Sequence, residues 1–90
     1  MNKKEYLEDF KIYLKAEKNY SAHTIRAYSN DVYTFLLWLE DLEPTEIKQE
    51  KFSEYLRFIQ QINYLKTTIA RKIASIRAFY KFLYQEELIE

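Results

Sequence analysis

A chain of 90 residues with 14 basic and 14 acidic side chains has no net charge, which excludes a general polycation that coats nucleic acid. Its 48% hydrophobic content, with nine Tyr, six Phe and one Trp, excludes a disordered chain, and the absence of Cys beside a single His excludes disulfides, thiolate sites and an ordinary zinc site, so no metal or cofactor is expected. With no Gly and one Pro the usual residues of hairpin turns are missing, which together with abundant helix formers predicts an all-α chain.

A first amphipathic helix is predicted from about Lys3 to Glu17, with Leu7, Phe10 and Leu14 at three- and four-residue steps and Tyr6 and Tyr13 beside them. Lys18, Asn19 and Tyr20 break the pattern, and Ser21 offers a hydroxyl to the free N–H groups of a second helix running to about Leu42. Its stripe is Ile25, Tyr28, Val32, Phe35, Leu36 and Leu39. The acidic run Glu40 to Pro44 follows, where the proline disfavours helix at Glu43. A third helix spans about Gln49 to Gln61 with Phe52, Leu56 and Ile59 inward, and Ile47 is expected to plug the core from the loop.

After a linker, Thr67 or Thr68 is placed as the cap of a last helix reaching about Glu86. At 100° per residue Ile69, Ile73, Ile76, Tyr80 and Leu83 fall within about 40° of one line. That predicts a core stripe centred on Ile73, with Thr67, Arg71, Ala74, Ser75 and Ala78 opposite.

The charges are distributed unevenly. Between Asn63 and Gln85 there are five basic residues and no acid, whereas Glu40 to Glu54 holds six acids against Lys48 and Lys51. One face can therefore be locally positive although the whole chain is neutral. On the last helix, small side chains at Ala70, Ala74, Ser75 and Ala78 permit close approach to a groove, and Arg71, Lys72 and Arg77 are suited to phosphates. At the start of the second helix His23, Arg26, Ala27 and Asn30 project away from the apolar stripe. An ordinary solvated helix face fits both patterns too, and His23 reads first as an exposed first-turn residue.

A nucleophilic Tyr needs neighbouring cations to stabilise a phosphoryl transition state, and no such constellation is legible; Tyr6, Tyr13, Tyr28, Tyr55 and Tyr80 lie on apolar stripes. Glu86 and Glu87 read as a solvated helix end. No stretch approaches the roughly 20 apolar residues of a spanning helix, and MNKKEYLEDF lacks the apolar run of an export signal, so a cytoplasmic protein with no membrane partner is expected.

Two segments carry a resemblance. Tyr20-Ser21-Ala22-His23-Thr24-Ile25-Arg26-Ala27-Tyr28-Ser29-Asn30-Asp31-Val32 resembles the N-terminal signature of the tyrosine recombinases, the phage integrase and Xer-type family, with a small cap, a Thr, a Tyr and an Asp at these spacings. Thr68-Ile69-Ala70-Arg71-Lys72-Ile73-Ala74-Ser75-Ile76-Arg77-Ala78-Phe79-Tyr80-Lys81-Phe82-Leu83 is similar to the last helix of the same domain. The resemblance implies a four-helix SAM-like orthogonal bundle over residues 1–90, the core-binding half of a clamp on double-stranded DNA. It further implies that Thr24, Arg26, Ala27, Asn30, Thr67, Thr68, Arg71, Lys72, Ser75 and Arg77 line the DNA. The catalytic residues are then expected in a C-terminal domain absent from this chain, so that the fragment is no enzyme. Other recombinase protomers are the implied protein partners, with no small-molecule substrate.

The sequence departs from the family where relatives often carry Gly and a Ser cap before the last helix, since Asn63-Tyr64-Leu65-Lys66 stand there. Glu90 falls where the family's linker to the catalytic domain is expected to begin. A helical protein-interaction domain that does not bind DNA is the rival reading, since SAM-like folds also serve that purpose.

Overall fold

Asn2 accepts a hydrogen bond from the Glu5 backbone N–H at 2.8 Å while the Glu5 carboxylate accepts from the Asn2 N–H at 2.9 Å. This reciprocal capping box opens α1 (Lys3–Ala16) and satisfies two otherwise free donors. In the computed structural model, which describes residues 1–89, three further helices follow: α2 (Ala22–Leu39), α3 (Gln49–Gln61) and α4 (Lys66–Gln85). Glu90, the expected linker start, lies outside the described residues. Among the described residues there is no strand.

The turn after α1 passes through Asn19 at φ 53°, a left-handed position that Asn tolerates better than most residues and that a chain without Gly must fill this way. Ser21 accepts from the Thr24 N–H at 3.2 Å, as its place before α2 predicts. Whereas the sequence extends α2 to about Leu42, the helix stops at Leu39. Glu40 adopts φ 55°, its N–H turns back to the Leu37 carbonyl, and Lys3 Nζ binds the Glu40 carbonyl at 2.7 Å. The start of α4 also differs from expectation: Leu65 is the N-cap and makes no side-chain cap bond, so Thr67 and Thr68 lie inside the first turn.

One hydrophobic cluster joins all four helices, from Phe10 and Leu14 of α1 through Val32, Phe35 and Leu36 of α2 and Tyr55 and Ile59 of α3 to Ile76, Phe79, Phe82 and Leu83 of α4. Edge-to-face ring pairs knit it, Phe10 to Phe79 at 5.4 Å and Phe35 to Tyr55 at 4.9 Å between centroids. Ile47 packs on the cluster from the loop, as expected.

The orientation of α4 corrects the sequence reading. Its inward residues are Lys72, Ser75, Ile76, Phe79, Phe82 and Leu83, a line rotated by roughly 75° from the stripe of Ile69, Ile73, Ile76, Tyr80 and Leu83 at 100° per residue. Ile73 is only half-buried, as are Ile69 and Tyr80. Two overlapping stripes compete on this helix. Phe79 and Phe82 bring more apolar area than the isoleucines, and Lys72 and Ser75 are drawn inward by a carboxylate on α2.

Candidate nucleic-acid interface

At the edge of the apolar stripe of α2 lies Asp31, which is 2% exposed. An ionised carboxylate at such a place must be paired and hydrogen-bonded. Four bonds from α4 do this: Arg71 donates from Nε to Oδ2 and from Nη2 to Oδ1, both at 2.9 Å, Ser75 Oγ donates to Oδ2 at 2.7 Å, and Lys72 Nζ reaches Oδ1 at 3.3 Å. Burial on its own pushes the Asp31 carboxyl up, but the bonds from Arg71 and Ser75 and the charge of Lys72 outweigh it and hold the group below the ordinary carboxylate value. The same carboxylate pushes the Arg71 guanidinium higher still. Tyr64, in the loop before α4, lays its ring 5.0 Å from Lys72 Nζ and covers the second cation.

This cluster fixes how the helices face. Asp31 meets Arg71 and Ser75, and Phe35, one turn later, meets Tyr80 at 6.3 Å, so α2 and α4 run in the same sense. Their N-terminal halves therefore lie together, and the acidic turn from Glu40 lies toward the other end, where Tyr80 binds the Pro44 carbonyl. The first turns of α2 and α4 contain no acid, whereas α1 and α3 carry Glu5 and Glu50 there. The positive dipole ends of α2 and α4 thus carry no acidic side chain.

The expected residues fall into separate groups. Thr24 and Ala27, both half-buried, share with Asp31 one stripe of α2 at three- and four-residue steps. Arg26 and Asn30 are exposed and line a different groove, between α1 and α2, beside Lys11. On α4 Thr67 is exposed, Thr68 half-buried, and the Arg71 side chain 44% exposed. Arg77 is exposed and borders a cleft with Lys48, Gln49 and Phe52. Lys72 and Ser75, which the sequence pattern puts on the solvent face, are 7% and 0% exposed. They turn inward because Asp31 needs their donors. Sequence reasoning missed Asp31 as an organising residue; the signal available was a carboxylate flanking an apolar stripe, in a chain whose last helix offers two adjacent cations.

Tyr6, Tyr13, Tyr28, Tyr55 and Tyr80 are placed for packing. Tyr6 donates to Glu43 at 3.1 Å and Tyr80 to the Pro44 carbonyl at 2.7 Å, and burial raises the phenol of each, as it does at Tyr13, Tyr28 and Tyr55. A phenol raised in this way is a poorer source of phenolate. Among the described residues no group of three or more His, Cys, Asp or Glu converges as a metal site, and no helix is long and apolar enough to cross a membrane.

A sequence profile of the family described as "Phage integrase, N-terminal SAM-like domain" matches residues 7–87. Among curated proteins, the chain is 40% identical over 85 residues to "Tyrosine recombinase XerC" of Listeria welshimeri, covering 91% of this chain and 28% of that protein. It is 42% identical over 80 residues to the protein of that name from Listeria innocua, covering 86% and 27%, and 36% identical over 80 residues to that from Anoxybacillus flavithermus, again covering 86% and 27%. The chain thus spans little more than a quarter of the length of these relatives. No solved structure matches it.

Proposed function

We propose, from the premise that the chain belongs to the phage integrase N-terminal SAM-like domain family, that it grips duplex DNA through the joined N-terminal halves of α2 and α4. The observation that carries this reading is the polarity of the bundle. Two acid-free helix starts open on one side with Arg71 at the surface, and the acidic turn after α2 sits toward the other. Phosphate is the anion that such an array of dipole ends, hydroxyls and guanidinium suits. Thr24, Ala27, Thr67, Thr68 and Arg71 form the centre of the proposed face, with Arg26, Asn30 and Arg77 flanking it. Lys72 and Ser75 contribute from beneath by holding Asp31.

In the whole protein this domain serves as half of a clamp, other recombinase protomers on the same DNA are its protein partners, and a C-terminal domain cuts and rejoins the strands in the cytoplasm. The relatives named as tyrosine recombinases support that assignment.

Titration of a labelled duplex with this chain at several salt concentrations tests the reading. A dissociation constant of about 10⁻⁴ to 10⁻⁶ M near physiological salt is expected, weakening as salt rises because neutralised phosphates release counterions. The rival reading, a protein-interaction domain, draws on exposed Ile12 and Tyr84. It takes over if no DNA binds at low salt while a protein partner does.

A further inference from the structure

We infer that Asp31 is a positioning residue for DNA binding: it locks one edge of the Arg71 guanidinium so that the opposite edge is presented, pre-oriented, to a single backbone phosphate. The inference rests on the DNA-binding reading and deepens it.

The geometry begins with the donor set of arginine. A guanidinium carries five N–H groups in a fixed plane. Asp31 occupies the Nε edge and the near side of Nη2, with both bonds at 2.9 Å. The two protons of Nη1 and the outer proton of Nη2 remain. They point away from the carboxylate because the fork is rigid, and among the described residues they meet no acceptor, while the side chain is 44% exposed. That free edge has the spacing for two parallel bonds to a phosphate. An unrestrained arginine loses its rotamer freedom on meeting the backbone, whereas Arg71 has already lost it in the folded protein.

A carboxylate so close to a cation would ordinarily cancel its attraction for DNA. Here Lys72 prevents this. It approaches the same Asp31 oxygen that Arg71 Nη2 uses, but from inside, under the Tyr64 ring, and is itself buried. One carboxylate is shared by two cations, so the cluster keeps a net positive charge, and the member that faces solvent is the arginine. Ser75 fixes the carboxylate from its other oxygen. The arrangement separates the tasks: Lys72 neutralises, Asp31 aims, Arg71 binds.

Asp31→Asn gives the decisive sign. Deleting a negative charge from a DNA-binding face strengthens binding if electrostatics alone act. Positioning demands the reverse. With circular dichroism verifying the fold, Asp31→Asn is expected to weaken binding of a short labelled duplex by about three- to tenfold and to lower the salt slope by about one, matching Arg71→Ala. The double variant should bind no worse than Arg71→Ala alone, since the two side chains act as one unit. A folded Asp31→Asn protein that binds as tightly as the wild type, or tighter, overturns the inference and leaves the DNA-binding reading intact. A wild-type chain that binds no duplex at low salt overturns both. Should Asp31→Asn fail to fold, side-chain nitrogen NMR of the wild type decides. Saturation with duplex should shift the Arg71 Nη signals while its Nε–H stays bonded to Asp31, and unchanged Arg71 signals refute the role.

Discussion

Tyr80 on α4 reaches 36 residues back along the chain and donates a 2.7 Å hydrogen bond to the carbonyl of Pro44, a buried residue in the turn between α2 and α3. The bond ties that turn to the last helix. Tyr80→Phe keeps the ring packed against the core and leaves the carbonyl unpaired, at a cost of about 1–3 kcal/mol. The phenol is pushed well above its usual value of 10.0, first by burial and then by Tyr6, so its contribution is whole below pH 10 and declines as the pH rises past it, where the unfolded chain ionises more readily. Urea unfolding at neutral and alkaline pH should show a steeper alkaline loss for the wild type than for Tyr80→Phe. Parallel losses would remove Tyr80 from the account.

Ile76 is fully buried whereas Ile73, one turn earlier on α4, is half-buried. Ile76→Ala should therefore cost about 2–5 kcal/mol and Ile73→Ala roughly half as much or less, because the second site is partly open to water before truncation. Unfolding midpoints of the two variants check the orientation of the helix. Equal losses would mean that α4 is turned closer to the isoleucine stripe.

Asp31 ties the pH response to the α2–α4 contact. Its carboxyl titrates below 3.8 in the folded chain, so the stability that it contributes is present above that value and is lost as the pH falls through the lowered one. Acid titration followed by circular dichroism should show a shallower acid limb in Asp31→Asn. Asp31→Ala strands Lys72 inside the bundle without its counter-ion and should cost about 3–5 kcal/mol. Loss of Arg71 takes two of the four bonds from the buried carboxylate but leaves Lys72 and Ser75 in place, and should cost about 1–3 kcal/mol, less than Asp31→Ala.

Thr67 sits in the exposed first turn of α4, where a carboxylate favours the helix and opposes a phosphate. Thr67→Glu should hold or raise stability by about 0.3–1 kcal/mol. The same change should weaken duplex binding about tenfold by placing like charge against the backbone. Lys48 and Lys51 supply the control. Lys51 is occupied by Glu54 at 3.1 Å and by the Trp38 ring at 4.8 Å. Replacing both lysines by Ala should alter affinity far less, and an equal effect would show the attraction to be diffuse rather than centred on α2 and α4.

The sequence alone determined the number of helices, their approximate limits, the Ser21 cap and the place of Ile47 in the core, because periodicity, capping chemistry and the lack of Gly act over a few residues. It also carried the two segments that resemble the recombinase family. Only the tertiary structure decided which stripe of α4 turns inward. Local spacing ranks the isoleucine line and the phenylalanine line almost equally, and the choice depends on what α2 presents opposite them. That partner is Asp31, 40 residues from Arg71 and 44 from Ser75 in sequence. A buried carboxylate fixes the rotation of whichever helix can satisfy it, since leaving it unpaired costs more than the difference between two apolar stripes. For that reason Lys72 and Ser75, which the pattern of charges set on the outside, lie within the bundle, and Arg71 alone of the three reaches solvent.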